Sequence, residues 1–298
     1  MTTIRFSHTR GLAALGLFLL MLSTQGSAVA ETTSQRIART GSVVIGYRES
    51  SIPFSYVDNG KPVGYAIDLC RRVVGALGQK MHRDLQIVYR PVTSANRIEM
   101  VRSGQVDLEC GSTTNNAERR KQVAFTIPHF IVGTRFMVRS DSGIEGREQL
   151  RHATVVTTKG TTAEKIFPDL NLSATLVSAP DHAASFAMLQ NGQADAFMLD
   201  DILLAGLRAA APDPSKFRIL DDVYRLEALA IMFAPDDAEF KAVVDGEMKR
   251  IIQSGDINAI YRQWFEQPIP PKGMNLKWPI GHLLRNSFRY PSDWAPDF

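Results

Sequence analysis

The feature that most restricts the fold is an alternation. Short apolar runs of strand character are separated by longer amphipathic runs of helix character, and the series occurs twice. "SVVIGYR" (Ser42–Arg48) reads as a buried strand. "GYAIDLCRRVVGALG" carries apolar residues at Ile67, Leu69, Cys70, Val73, Val74 and Leu77, which share one face of a helix. "LQIVYRPV" as a strand, "SANRIEMVRSG" as a short helix and "VDLECGS" as a strand complete the first series. "ATVVTTKG", "TAEKIF", "ATLVSA", "DHAASFAMLQNG" and "ADAFMLD" repeat it. Strands spaced by such helices form a mainly parallel sheet with helices on both faces. Two series predict two α/β lobes.

The last third departs from this order. "LEALAIMFAPDD" is a further strand, and "AEFKAVVDGEMKRIIQSGDINAIYRQWF" is a long amphipathic helical region interrupted at Gly255. "PIPPKG" stops the helices, because proline lacks the amide donor they need. In the tail, "MNLKWPIGHLLRNSFRYPSDWAPDF", Leu and Phe recur at helical spacing, so it is expected to pack on a lobe.

The first thirty residues read as a leader. Arg5 and Arg10 precede the apolar "GLAALGLFLLML", and "STQGSAVA" then supplies small residues at Ala28 and Ala30. This is the pattern of a secretory signal peptide cut after Ala30; the apolar run falls short of the roughly 20 residues a bilayer span needs. Removing Met1–Ala30 removes two arginines and no acids, so the net charge falls from +3 to +1. That balance argues against nucleic-acid binding, which needs a basic face. Cys70 and Cys110 fit neither a zinc site nor a dense disulfide scaffold. In an oxidising compartment they could pair with each other.

"CGSTTNNAERR" (Cys110–Arg120) follows a strand with three hydroxyls and then a helix start, Asn115 and Glu118 fitting a capping box. Helix starts present unpaired amides and attract anions. Arg119 in the first turn opposes the helix dipole, so it either meets an anion or is a surface arginine on an ordinary capped helix. Covalent catalysis by Cys110 or Ser112 is disfavoured: G-x-S-x-G is absent, and Cys110 lies in an apolar strand pattern. "TTKGTTAEK" repeats the arrangement, with Thr161 and Glu164 as the box; it is not a P-loop. Each half thus offers a hydroxyl-rich helix start at a strand end, where open α/β sheets bind ligands. The histidines show no metal-ligand spacing, though His182 falls between a strand and a helix, where a cleft residue would lie. "FMLDD" ends a strand with Asp200 and Asp201, one suited to cap the next helix and the other to meet a cation.

With these motifs in view, five stretches carry a likeness: "GYRESSIPFSYVDNGKPVGYAIDLC", "TSANRIEMVRSGQVDLECGSTTNNAERRKQVAFT", "TTKGTTAEK", "DHAASFAMLQNGQADAFMLDD" and "WFEQPIPPKGMNL". From about Gly41 to Leu276 the chain resembles the periplasmic glutamate/aspartate-binding proteins of bacterial ABC importers, within the polar amino-acid solute-binding proteins. The resemblance implies the two-lobed type II periplasmic-binding-protein fold with a two-strand hinge. Lobe one would span 41–134 with 226–270, lobe two 135–225, and the tail 271–298. It implies a monomeric, non-enzymatic, periplasmic protein without cofactor or metal, which captures glutamate or aspartate by lobe closure and delivers it to an inner-membrane permease. Arg119 would clamp the α-carboxylate with Ser112 and the backbone amide of Thr114, and Asp200 would meet the α-ammonium. Arg48, Arg97 and His182 would surround the side-chain carboxylate with Ser94 nearby, and Thr161 or Thr162 would close from lobe two. Arg48 and Arg97 would repel each other beside a neutral side chain, so an acidic ligand is expected. A Cys70–Cys110 bridge does not follow from the resemblance.

Two rivals remain on this scaffold. One is a periplasmic dehydratase acting on a prephenate-like or arogenate-like acid, which needs a general acid near the leaving hydroxyl; Glu49, beside Arg48, is the candidate. The other is a sensor module that feeds a receptor.

Overall fold

The computed structural model describes residues 1–3, 31–235 and 237–293. The expected leader lies outside the described residues except for its first three, as do the last five residues of the tail.

The described fold begins with helix α1 (Thr33–Thr40). Thr32 and Gln35 form a reciprocal capping box at its start, and Gly41 ends it at φ +70°, donating to the Ile37 carbonyl. Strand β1 (Ser42–Tyr47) enters the core, followed by a meander of β2 (Ser50–Ser51), β3 (Ser55–Asp58) and β4 (Lys61–Val63). Helix α2 (Tyr65–Lys80), β5 (Gln86–Pro91), α3 (Arg97–Arg102), β6 (Leu108–Glu109), α4 (Ala117–Arg120) and β7 (Ala124–Phe125) come next. The long β8 (Phe130–Arg139) leads to β9 (Thr154–Thr158), α5 (Thr162–Ile166), β10 (Thr175–Ala179) and α6 (His182–Gln190). Then follow β11 (Ala196–Asp200), α7 (Asp201–Ala210), β12 (Phe217–Ile219), β13 (Arg225–Leu229) and β14 (Met232–Phe233). Three helices close the chain: α8 (Ala238–Gln253), α9 (Asp256–Phe265) and α10 (His282–Arg289).

These elements build two lobes on two sheets. One sheet has the order β5-β1-β6-β14-β7, the other β10-β9-β11-β8-β12 with β13 also on β8. Both are mixed rather than mainly parallel: β1 runs parallel to β5 and β6, but β14 runs antiparallel to β6 and β7. In the second sheet β9 is parallel to β10 and β11, while β8 is antiparallel to β11, β12 and β13. The cause is topological: a strand arriving from the other sheet enters against the local direction. β8 and β13 pair from Thr134↔Arg225 to Phe130↔Leu229 and form the two-strand link. The run read as one strand, "LEALAIMF", is therefore two. At Ala230 and Ile231 the backbone leaves β8 and bonds instead to Thr113 and Thr126.

Gly255, at φ +82°, separates α8 from α9 as the sequence indicates. Beneath the link lies an aromatic cluster in which Phe265 meets Phe54, Tyr65, Phe130 and Tyr261 at centroid distances of 5.6, 5.1, 4.7 and 4.4 Å. Burial and edge contacts of such rings contribute beyond area alone. The tail follows this cluster: Trp278 donates its amide to the Phe265 carbonyl, Tyr261 donates its hydroxyl to the Trp278 carbonyl, and Leu284 of α10 is buried.

Cys70 of α2 and Cys110 after β6 are joined by a disulfide with a Cα separation of 6.3 Å. The closed loop of 40 residues stabilises by about 4 kcal/mol on the chain-entropy account. Replacing both cysteines by alanine is expected to lower the melting temperature by about 10 °C. Two titratable thiols on unreduced protein would contradict the bridge.

Candidate functional site

The carboxyl ends of five strands converge on one place. β1 delivers Arg48, β5 the Ser94–Arg97 segment, β6 the Gly111–Thr114 loop, β9 the Thr158–Thr162 turn, and β11 Asp200. Between them lies a small cavity lined by Ser94, Arg97, Ser112, Thr114, Thr161, Thr162, His182, Leu199, Asp200 and Leu203. The sequence reading anticipated all of these except the two leucines. Arg48 and Arg119 are tied to the wall: an Arg48 Nη2–H donates to Ser94 Oγ at 2.8 Å, and an Arg119 Nη1–H to the Thr114 carbonyl at 2.9 Å. The three guanidinium groups are at most 3 % exposed. Arg48 Nη1 and Arg97 Nε are buried without a hydrogen-bond partner.

Local rules explain most placements and correct some. The cap of α4 is Asn116, which accepts from the Arg119 amide, and not Asn115. Only four residues long, α4 is too short for its dipole to carry anion binding. Thr161 caps α5 by accepting from the Glu164 amide and spends its hydroxyl proton on the Thr158 carbonyl. The returning half of the expected box goes elsewhere, since Glu164 accepts from the Gly160 amide. Asp201 accepts from the Ile202 amide, while Asp200 makes no side-chain cap bond and is left for the cavity. Asp181 caps α6, so His182 stands at the first position of that helix, with Nδ1 2.9 Å from Thr158 Oγ1.

The electrostatics contain two residues that the sequence reading missed. Glu109 and Glu227 are both buried. Glu109 accepts from Thr113 Oγ1 at 2.5 Å; Glu227 accepts from Thr114 Oγ1 at 2.6 Å and Thr162 Oγ1 at 2.7 Å. Burial, and then Arg97, push Arg48 down to about 9, while Glu109 and Asp181 oppose the shift. Burial, and then Arg97, also bring Arg119 to about 9 against Glu227, Glu109 and Asp200. Arg97 is lowered by burial and supported by Glu109, Asp200 and Glu227. Arg48 and Arg119 stay cationic at neutral pH. Glu109 thus faces both Arg48 and Arg97 from within the protein. Burial, followed by Arg48 and Arg97, holds His182 well below the usual imidazole range, so it is a neutral partner. Burial, Glu227 and Asp201 push Asp200 well above the carboxylate range. An ammonium beside Asp200 would reverse that. His129, away from the cavity, is buried with neither ring nitrogen partnered, and burial pushes it down to about 3.

Backbone approaches show that the cavity is held shut from both lobes. A Cβ on Gly160 would lie 2.7 Å from the Ser94 carbonyl oxygen, and one on Gly206 would lie 2.4 Å from that of Ile52. An Arg119 Nη2–H also donates to the Gly160 carbonyl at 3.4 Å. Glu49 is exposed and does not line the cavity. Among the described residues there is no acidic, cysteine or histidine cluster able to hold a metal ion, and no helix long and apolar enough to cross a membrane.

Residues 43–267 match the profile of the bacterial extracellular solute-binding proteins, family 3. An L-glutamate/L-aspartate-binding protein of Pseudomonas aeruginosa is 42 % identical over 272 residues, covering 89 % of this chain and 90 % of that protein. A glutamate/aspartate import solute-binding protein of Escherichia coli is 40 % identical over 282 residues, 93 % of each chain. Among solved structures, the solute receptor for L-cysteine of Neisseria gonorrhoeae superposes with a TM-score of 0.70 at 27 % identity, covering 78 % of this chain and 93 % of that one.

Proposed function

Because the chain belongs to family 3 of the bacterial extracellular solute-binding proteins, we propose that it captures glutamate or aspartate by lobe closure and presents it to the permease of an ABC importer. The observation that carries this reading is the burial of Arg48, Arg97 and Arg119 at the strand ends, around a small cavity that Arg97 and Asp200 line. A guanidinium fork grips a carboxylate through two charge-assisted bonds and fixes its orientation. Arg119 takes the α-carboxylate with Ser112, and Asp200 takes the α-ammonium. The side-chain carboxylate meets Arg48, Arg97, Ser94 and neutral His182. The unpartnered donors Arg48 Nη1 and Arg97 Nε suit this second anion.

Closure follows from contacts divided between lobes, since a ligand shifts an equilibrium only by its differential affinity for the two states. We place the crossings near residues 134 and 226. The Escherichia coli relative is an import solute-binding protein, and on that basis the leader exports this chain to the periplasm, where it works as a monomer beside a membrane permease. The acid named for a dehydratase reading, Glu49, is exposed outside the cavity.

Calorimetric titration tests the proposal. One glutamate or aspartate per chain is expected, with glutamine about 100-fold weaker because an amide cannot satisfy both buried cations. Equal affinity for glutamine would refute the side-chain assignment. Failure of both acidic amino acids to bind would refute the function.

A further inference from the structure

Beyond its charge, Glu227 bonds to hydroxyls of both lobes. It sits on β13, is 2 % exposed, and accepts two hydroxyl protons on one oxygen, Oε2. One comes from Thr114, on the loop after β6; the other comes from Thr162, at the start of α5. A threonine hydroxyl has a single proton and two lone pairs. Once both protons point at Glu227, Thr114 Oγ1 and Thr162 Oγ1 can only accept from anything in the cavity they line. Asp200, without a cap bond, adds a third acceptor to the same wall. Ser94 accepts from Arg48.

We infer that Glu227 is a positioning residue, one that turns the hydroxyls of Thr114 and Thr162 into acceptors and so builds, with Asp200, an ammonium-selective wall that is complete only when the lobes are closed. The inference rests on the amino-acid reading above and adds the reason why the cavity would reject acids that lack an amino group. A ligand ammonium offers three donors to three acceptors. A keto oxygen in its place would face the lone pairs of these three acceptors, which leaves buried polar groups unpaired.

The test compares L-glutamate with 2-oxoglutarate, the same skeleton with a keto oxygen for the ammonium, and reads the ratio of their dissociation constants in each variant. The ratio cancels any general damage to the fold. Glu227→Gln keeps a carbonyl oxygen able to accept both hydroxyls, so the wild-type preference for glutamate is expected to survive. Glu227→Met has the same length and no such acceptor, and the preference is expected to fall about tenfold or more. Thr162→Ser should retain the preference and Thr162→Val should lose it, which keeps the idea testable should the methionine variant fail to fold. An unchanged ratio in the methionine or valine variant, or an equal collapse in the glutamine variant, would overturn the role of Glu227. Wild-type protein that binds neither glutamate nor aspartate would instead sink the underlying function, before any variant is compared.

Discussion

Replacing Arg119 by alanine is expected to weaken binding of glutamate and aspartate alike by about a thousandfold, because losing one partner of a buried ion pair costs roughly 3–5 kcal/mol. The two ligands should suffer together, since they share the α-carboxylate and differ by one methylene beyond it. Lysine should rescue little: it is a point charge without the planar fork that holds both carboxylate oxygens. The ligand-free protein should melt within a few degrees of the wild type. The neutral bonds lost are those to the Thr114 and Gly160 carbonyls, and removing a guanidinium from burial relieves its desolvation cost. The ligand-induced rise in melting temperature, which follows from mass action on the folded state, should disappear. Micromolar affinity retained in Arg119→Ala would show that the α-carboxylate lies elsewhere.

The elements were legible where periodicity is local. The apolar positions of α2 from Ile67 to Leu77 are all buried as the helical spacing requires. Antiparallel entry of β8 and β14 was not legible, because it depends on which strands cross between lobes, and no window of sequence records that. Glu109 and Glu227 were missed for a related reason. Both stand in strands flanked by apolar residues, and a strand covered on both faces has no polar side from which an acid could be told to face water. The partners that make their burial tolerable, Thr113, Thr114 and Thr162, lie on other elements, and Thr162 is 65 residues from Glu227. Asp200 and Asp201 formed a pair whose members were interchangeable in sequence; the β11–α7 junction decided which one would cap. For Arg119 local sequence left a surface arginine open, and only the resemblance chose the cavity.

Gly160→Ala should separate closure from folding more cleanly than any change in a ligand-contacting side chain. Its new Cβ would stand 2.7 Å from the Ser94 carbonyl oxygen and 2.8 Å from two backbone atoms of Ala95, none of which can swing aside like a side-chain tip. Gly160 lies between β9 and α5, whereas Ser94 and Ala95 lie between β5 and α3, so opening of the lobes relieves the clash. Two costs then act on different states. The left-handed backbone at φ +80° costs an alanine roughly 1–2 kcal/mol whether the lobes are open or closed, and it appears in the melting temperature. Overpacking of about 2–3 kcal/mol is felt only in the closed state, where it subtracts directly from ligand affinity. Binding is therefore expected to weaken about 30- to 150-fold, with small-angle scattering showing a more extended particle at sub-saturating ligand. Gly206→Ala provides an independent check: it has no positive φ, yet its Cβ would meet the Ile52 carbonyl oxygen at 2.4 Å across a different contact. Weakened binding in both variants would identify closure as their common factor, because the two glycines share neither backbone strain nor ligand-wall position. Undiminished affinity in both would mean that the ligand is held without the lobes coming together.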